Sequence, residues 1–198
     1  MKIVDKHYIV RRGWLVESRT IGVIEEELAQ AIGRIVWPEG ADGFYLDPIS
    51  RKGNGVKPIK DACVTHLADL GWQPEQRSRP HGVAGTGPLD LVRPTNGGLF
   101  ALEWETGDIS SSHRAVNKMC LGILDQELIG GALVVPSDKL YPYLTDRVGN
   151  YRELQPYLSL WERLPFSDGV LAIVVIEQDG FQIGAPRIRK GTDGRALA

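Results

Sequence analysis

Apolar residues recur at helical spacing in two stretches near the start of the chain. Within 21–36 an isoleucine or leucine returns every three or four positions, which predicts an amphipathic helix that ends before Pro38. A second helix is predicted over 58–70, since Pro58 suits the first turn of a helix and Gly71 suits the position after its end. The Gly- and Pro-rich residues between these helices predict a loop.

Alternating residues and short apolar runs predict the strands. Residues 2–10 and 14–18 alternate enough to predict strands or a hairpin at the start of the chain. Further strands are predicted over 72–78, 88–93, 98–105, 132–135 and 170–176. Later helices are predicted over 112–129, 137–145 and 150–161. Residues 181–183 are expected to form a hairpin with the last strand.

The order of the predicted elements, αα-βββ-α-β-αα-β, indicates an α/β fold with a central mixed β-sheet flanked by helices. The run 170–176 is apolar throughout, as in a central strand that is covered on both faces. A length of 198 residues fits one domain, 1–198. The tail over about 187–198 is basic and then rich in glycine, and it is expected to be flexible.

Composition narrows the class of protein. No apolar run approaches the roughly 18 residues of a membrane span, so no membrane association is expected. The first residues lack an apolar signal segment, and Cys63 and Cys120 fall in helical patterns, which favours a reducing cytoplasm. A net charge of −2 means that contact with a polyanion needs local basic patches. The glycines at 82, 85 and 87 are not followed by Gly-Lys-Ser/Thr, so no nucleotide cofactor is expected.

Three acidic residues lie in two neighbouring apolar runs. Glu103 and Glu105 are two positions apart, and residues i and i+2 of a strand face the same side. The turn at 94–98 joins this run to the one that contains Asp90, so pairing of the two strands brings a third carboxylate close. Converging carboxylates repel each other unless a cation lies between them, and their oxygens suit Mg²⁺. Carboxylate-bound Mg²⁺ is typical of enzymes that hydrolyse phosphodiesters.

The alternative interpretation is that Glu103 and Glu105 line the solvent face of an amphipathic strand. Residues 99–102 are apolar throughout, which indicates that both faces of this strand are buried. The acids then come at the end of a buried strand, and this placement favours the metal site.

The acidic motif resembles that of the PD-(D/E)xK superfamily of restriction endonucleases. The similar features are Pro88, Leu89 and Asp90, then a hairpin, then Glu103, Trp104 and Glu105 before a Ser-rich helix start. Most members carry Lys where this chain has Glu105. Glu or Gln at that position is similar to the branch that groups BamHI, BglII and BstYI. The order of the elements matches over roughly residues 1–178, and the resemblance implies a type II restriction endonuclease.

The resemblance also implies a role for each acid. Asp90, Glu103 and the carbonyl of Trp104 would hold Mg²⁺, and Glu105 would position or deprotonate the attacking water. Mn²⁺ is expected to substitute for Mg²⁺, whereas Ca²⁺ is expected to bind without supporting cleavage. The family places a residue of the preceding helix near the site, and here that helix offers either Lys60 or Asp61.

Polar residues after Glu105 are candidates for DNA contacts. A helix start favours phosphate, and Arg and Asn side chains suit guanine and adenine edges. The candidates are Ser110, Ser111, Ser112, His113, Arg114, Asn117 and Lys118, with Arg147 and Asn150 in a later loop. The alternative is a serine helix cap with ordinary surface residues, and a plain helix connector around 147–150. Arg187, Arg189 and Lys190 are weaker candidates for phosphate contacts.

These observations predict a cytoplasmic type II restriction endonuclease that cuts double-stranded DNA. The resemblance implies a palindromic site with a GATC core and products that carry 5′-phosphates. A homodimer is expected from the symmetry of such a site, with the apolar helix 113–129 as its interface. Two alternatives stay open: a structure-specific repair or recombination nuclease of the same superfamily, and a non-catalytic DNA-binding protein with this fold.

Overall fold

The computed structural model describes residues 1–76, 87–105, 107–145 and 147–190. Its strands are β1 (Lys2–Arg12), β2 (Tyr45–Leu46), β3 (Gln73–Gln76), β4 (Leu89–Thr95), β5 (Gly98–Trp104), β6 (Leu128–Pro136), β7 (Gly169–Glu177) and β8 (Gly180–Phe181). Its α-helices are α1 (Trp14–Glu17), α2 (Arg19–Gly33), α3 (Lys57–Asp69), α4 (Ile109–Leu124), α5 (Tyr151–Leu154) and α6 (Leu158–Glu162). The glycines at 82 and 85, the end of the strand expected over 72–78, and the tail from 191 onward lie outside the described residues.

Six of the described strands form one sheet in the order β1-β7-β6-β5-β4-β3. The central strands β5, β6 and β7 run parallel to one another. β1 pairs antiparallel with β7 on one side, and β4 and β3 continue the sheet antiparallel on the other. The mixed central sheet of the expected α/β fold is confirmed.

Helices cover both faces of this sheet. α2 and α3 lie on one face, where Leu28 shares a hydrophobic core with Val174 of β7. α4 and α6 lie on the other face, where Met119 and Trp161 share a second core with Ile173. Successive strand residues point to opposite faces, so β7 must be apolar throughout to supply both cores. No helix in the described residues is long and apolar enough to cross a membrane.

The structure corrects two predictions at the start and middle of the chain. Residues 14–18 were expected to be extended, but Trp14–Glu17 is helical, because Gly13 adopts a φ of 80° that ends β1. The helix expected over 137–145 is reduced to a 3₁₀ turn at Tyr141–Tyr143. Pro142 lacks a backbone N–H, which limits helical hydrogen bonding there.

The hairpin expected at 181–183 is also wrong. β8 instead pairs in parallel with β2, in a separate two-stranded sheet. Asp179 directs the chain there, because its N–H donates to the carbonyl of Phe44 at 2.9 Å. Its carboxylate also accepts the N–H of Phe44 at 2.8 Å.

The packed part of the chain extends further than the sequence indicated. Ile188 is only 3% exposed, and its N–H donates to Asn54 Oδ1 at 2.9 Å. Its carbonyl accepts the N–H of Gly55 at 3.0 Å. Ile188 therefore packs against the loop before α3, within the segment that was expected to form a flexible tail.

Glu27 of α2 ties the helical layer to the sheet. Its Oε1 accepts Arg93 Nη2 at 2.8 Å, and its Oε2 accepts Arg93 Nε at 3.0 Å and Trp72 Nε1 at 2.7 Å. The Glu27 side chain is 12% exposed and that of Arg93 is 26% exposed. Three charge-assisted bonds in a partly buried position hold α2 against β4.

We expect Glu27→Ala to lower the free energy of unfolding by about 2 kcal/mol, because it leaves a partly buried guanidinium and an indole N–H without an acceptor. The control is Glu26→Ala on the exposed side of the same helix, expected to change stability by no more than about 0.5 kcal/mol. Urea unfolding followed by circular dichroism measures both. Equal stability of the two variants would contradict the proposed tie.

Candidate active site

β4 and β5 place two carboxylates side by side. Their antiparallel register pairs Leu91 with Leu102, so the next residues, Asp90 and Glu103, are neighbours across the strands. The N–H of Trp104 donates to Asp90 Oδ2 at 2.8 Å, which fixes the aspartate against β5. Glu103 is 7% exposed, so its carboxylate is largely desolvated, whereas the Asp90 side chain is partly buried.

Glu105 lies just past the end of β5 and is held by the residues that begin α4. One carboxylate oxygen accepts the N–H of Gly107 at 2.5 Å, and the other accepts the hydroxyl of Ser112. Glu105 and Ser112 are both buried. Two donors therefore fix the orientation of this carboxylate.

The three carboxylates line one cleft of about 160 Å³. It lies at the carboxyl end of β5, the end of a parallel strand at which α/β proteins usually bind ligands. Ser111, Arg114 and Lys118 of α4 also line it. These residues are spaced i, i+3 and i+7, so they share one face of the helix.

A larger cavity of about 370 Å³ lies beyond the other end of β5. Its described lining residues include Trp14, Gly97 and one carboxylate, Asp168. A single acid lacks the converging charges of the smaller cleft. The smaller cleft is therefore the candidate active site.

Two lysines place ammonium groups on the carboxylates of the cleft. Lys60 of α3 donates to Asp90 Oδ1 at 2.6 Å. Lys118 of α4 forms an ion pair with Glu103 and donates to the carbonyl of Pro88 at 2.7 Å. The sequence left Lys60 and Asp61 as alternatives, and the structure brings Lys60 to the site.

Asp61 and Lys118 take positions that the sequence did not indicate. Asp61 pairs instead with Lys57 at 2.8 Å, and its side chain is 52% exposed. Lys118 was expected to contact DNA, but its ammonium lies against Glu103 inside the cleft. Lys118 shares a helix face with Ser111 and Arg114, and its position follows only when that face is known to lie along the cleft.

Burial dominates the electrostatics of the cleft. It raises the pKa of Glu103 to about 7, with the charge of Asp90 acting in the same direction and Lys118 opposing it. Burial also raises the pKa of Glu105 to about 7, against the hydrogen bonds from Ser112 and Gly107. Carboxylates in such surroundings stay ionised more readily when a positive charge is near.

The donors of the cleft fit a Mg²⁺ ion with a small protein ligand set. Among the described residues no three His, Cys, Asp or Glu side chains are grouped closely enough to enclose a metal. Mg²⁺ does not need such a cage, because it retains several waters and usually takes one or two carboxylates. Asp90 and Glu103 supply two.

The carbonyl of Trp104 is directed toward the same place. The N–H of Glu105 donates to Val134 on β6 at 2.9 Å. In a planar trans peptide the preceding carbonyl points the opposite way, here toward β4 and Asp90. Two carboxylates and one carbonyl therefore form an oxygen set suited to Mg²⁺.

The helix beside the cleft begins earlier than the sequence indicated. Asp108, and not a serine, is the N-cap of α4, and its carboxylate accepts the N–H groups of Ser110 and Ser111. The hydrogen bond from Ser110 is the main cause that lowers the pKa of Asp108. At its other end, the helix predicted over 112–129 stops at Leu124, and Leu128 already belongs to β6.

The candidates for DNA contacts fall on different faces of α4. Arg114 is exposed on the cleft wall, and Ser110 is exposed at the helix start. Ser112 is fully buried against Glu105. His113 and Asn117, one turn apart, point toward α6.

The side chains of His113 and Asn117 contact aromatic residues in and beside α6. The His113 ring lies 4.4 Å from the Tyr157 ring and 5.4 Å from the Trp161 ring, measured between centroids. Asn117 Oδ1 accepts Trp161 Nε1 at 2.9 Å. His113 and Asn117 thus serve the packing of α4 on α6 in this structure.

The two loop candidates, Arg147 and Asn150, also differ in their exposure. Arg147 is exposed and adopts a φ of 70°. Asn150 is 5% exposed, and its amide donates to Glu153 at 2.6 Å. Of these two, Arg147 has the side chain available to a ligand outside the protein.

Sequence comparison identifies the family of this chain. The sequence model of the restriction endonuclease BamHI family matches residues 1–195. The chain belongs to the BamHI family of restriction endonucleases. It is 52% identical to the type II restriction enzyme OkrAI of Oceanobacter kriegii over 177 residues, covering 89% of this chain and 91% of the relative. It is 32% identical to the type II restriction enzyme BamHI of Bacillus amyloliquefaciens, with 96% and 92% coverage.

Solved structures support the same fold at lower sequence identity. Restriction endonuclease BglII in complex with a DNA 16-mer superposes with a TM-score of 0.66 at 12% identity, covering 90% of this chain and 79% of that one. Free BglII gives a TM-score of 0.53 at 10% identity. The resemblance to the BamHI and BglII group is thereby confirmed for family and fold.

Removing the Ser112 hydroxyl tests whether it fixes Glu105. We expect Ser112→Ala to slow DNA cleavage by about 10- to 100-fold, since small misplacements of a reacting group cost on that order. Stability should fall by only about 1 kcal/mol. Cleavage of unmethylated phage DNA and a thermal melt measure the two effects. The control is Thr65→Ala, which removes an exposed α3 hydroxyl bonded to Asp61, and equal cleavage by the two variants would contradict the role of Ser112.

Proposed function

We propose that this chain is a Mg²⁺-dependent type II restriction endonuclease that hydrolyses double-stranded DNA at a specific site. The observation that carries the proposal is the cleft at the end of β5, which Asp90, Glu103 and Glu105 line together. An exposed Arg114 on the same cleft gives the site a group that suits guanine. Membership of the BamHI family supports the same reaction class.

Asp90, Glu103 and the carbonyl of Trp104 are the proposed ligands of Mg²⁺. Bound Mg²⁺ supplies charge stabilisation at the phosphate and lowers the pKa of a water molecule. Mn²⁺ is proposed to substitute, and Ca²⁺ to bind without supporting cleavage. The hydrogen bond from Trp104 N–H keeps Asp90 oriented toward β5 for this role.

Glu105 is the proposed acceptor or positioning group for the attacking water. Gly107 and Ser112 hold it at the edge of the cleft. The water oxygen bonds to phosphorus, and a water proton passes to Glu105. The bond from phosphorus to the 3′-oxygen breaks, and that oxygen takes a proton from solvent. The products are a 5′-phosphate and a 3′-hydroxyl.

We further propose a homodimer that meets a palindromic DNA site with a GATC core. One cleft per subunit cuts one strand, so a two-fold dimer matches a two-fold site. The apolar residues of the helix expected as interface mostly face its own core, with Val116 and Met119 fully buried. Leu121 on α4, and Tyr157 and Leu160 around α6, remain exposed at 37%, 46% and 62% and are the better interface candidates. The proposed location is the cytoplasm.

Cleavage of unmethylated phage DNA with Mg²⁺, and with EDTA added, tests the reaction. Discrete bands that require Mg²⁺ are expected from the unaltered protein. Glu103→Ala should reduce cleavage by more than about 1,000-fold, because it removes a metal ligand from the reacting centre. The control is Glu26→Ala, remote from the cleft and expected to cut normally. Intact DNA with the unaltered protein on several unmethylated substrates would favour a non-catalytic DNA-binding protein.

Arg114 separates site-specific from structure-specific cleavage. We expect Arg114→Ala to weaken binding to the preferred site by about 10- to 100-fold, the value of a good contact to a guanine edge. Arg19→Ala, at an exposed position that begins α2, is the matched control. Competition binding between the preferred site and sites with one altered base pair measures the loss. Equal behaviour of the two arginine variants would favour a repair or recombination nuclease that reads DNA structure.

A further inference from the structure

Lys60 and Lys118 reach the cleft from opposite layers of the fold. Lys60 comes from α3 and donates to Asp90 Oδ1 at 2.6 Å, while Lys118 comes from α4 and pairs with Glu103. The Lys118 side chain is 9% exposed and that of Lys60 is 21% exposed. Each of the two neighbouring carboxylates therefore has its own ammonium group, supplied by a separate helix.

The low exposure of these two side chains, of Lys118 above all, separates them from ordinary DNA-binding lysines. A lysine that contacts phosphate keeps its charged end in solvent, as a long side chain normally does. Lys118 instead loses most of its hydration, and Glu103 and the carbonyl of Pro88 satisfy it. Desolvating an ammonium is costly unless it is paired, so its position depends on the acid it neutralises.

The contacts of the lysines coincide with the oxygens proposed for metal binding. Lys60 holds one oxygen of Asp90, and the N–H of Trp104 holds the other. Lys118 holds Glu103. A divalent cation bound by Asp90 and Glu103 must therefore compete with ammonium groups for the same carboxylates.

We propose that Lys60 and Lys118 are internal counter-ions that hold Asp90 and Glu103 together in the metal-free protein and weaken metal binding by competition. The inference rests on the proposed function, because it requires these carboxylates to bind the metal. Lys118 is the stronger competitor, since its side chain is the more deeply buried of the two. The carbonyl of Pro88 gives its ammonium a second partner when Glu103 turns to the metal.

Binding of Mn²⁺ to the full chain, measured by calorimetry without DNA, tests the competition. Lys118→Met keeps the length of the side chain and removes its charge, and we expect Mn²⁺ affinity to rise at least 10-fold. Lys60→Met should raise it by a smaller factor. The matched control is Lys139→Met, whose side chain is 74% exposed and 3.8 Å from Glu177, and its affinity should equal that of the unaltered protein.

The melting temperature gives a second test, independent of the calorimetric binding measurement. Without metal, Lys118→Met should melt at a lower temperature than the unaltered protein, because Glu103 and Asp90 lose a counter-ion. Saturating Mn²⁺ should restore its melting temperature, so the shift on adding metal is larger in the variant. If Lys118→Met does not fold, Lys118→Gln retains hydrogen bonding to Glu103 and permits the same measurements.

The outcomes distinguish this inference from the proposed function. Unchanged or weaker Mn²⁺ binding by the neutral Lys118 variant, with Glu103→Ala abolishing binding, overturns the counter-ion role and leaves the metal site intact. Equal Mn²⁺ binding by Glu103→Ala and the unaltered protein overturns the metal site itself, and the inference with it. Tighter binding by the Lys118 variant together with an unchanged Lys139 variant supports both.

Discussion

The candidate site depends on two like charges, those of Asp90 and Glu103, being held side by side in a largely buried cleft. Hydrogen bonding between β4 and β5 sets their spacing, and burial raises the pKa of Glu103 to about 7. The strands cannot relieve this repulsion by moving apart, because backbone hydrogen bonds fix their separation, and the buried leucines beside the acids fix their register. Relief comes from positive charge, which Lys60 and Lys118 supply.

This arrangement explains why the site needs both helical layers. α3 reaches Asp90 from one side, and α4 reaches Glu103 and Glu105 from the other. The position of each helix is set by its own core, and on the α3 side Glu27 and Arg93 add a link from α2 to β4. The charges of the cleft are thus aligned by packing elsewhere in the molecule.

α4 combines several tasks on separate faces. One face carries Ser111, Arg114 and Lys118 along the cleft, and another carries His113 and Asn117 toward α6. The helical period of 3.6 residues makes this separation possible within two turns. It also explains why a run of polar residues at a helix start contains some that line the cleft and some that support the packing of the protein.

The sequence by itself determined the mixed α/β fold, the two helices before the motif, and the acids Asp90, Glu103 and Glu105, because apolar spacing and residue i to i+2 geometry are local properties. It could not choose between Lys60 and Asp61, and it assigned Lys118 and Ser112 to DNA. It also missed the pairing of β8 with β2 and the burial of Ile188. Those outcomes are contacts between residues distant in the chain, and only the packing of helices on the sheet decides which side chain reaches which partner.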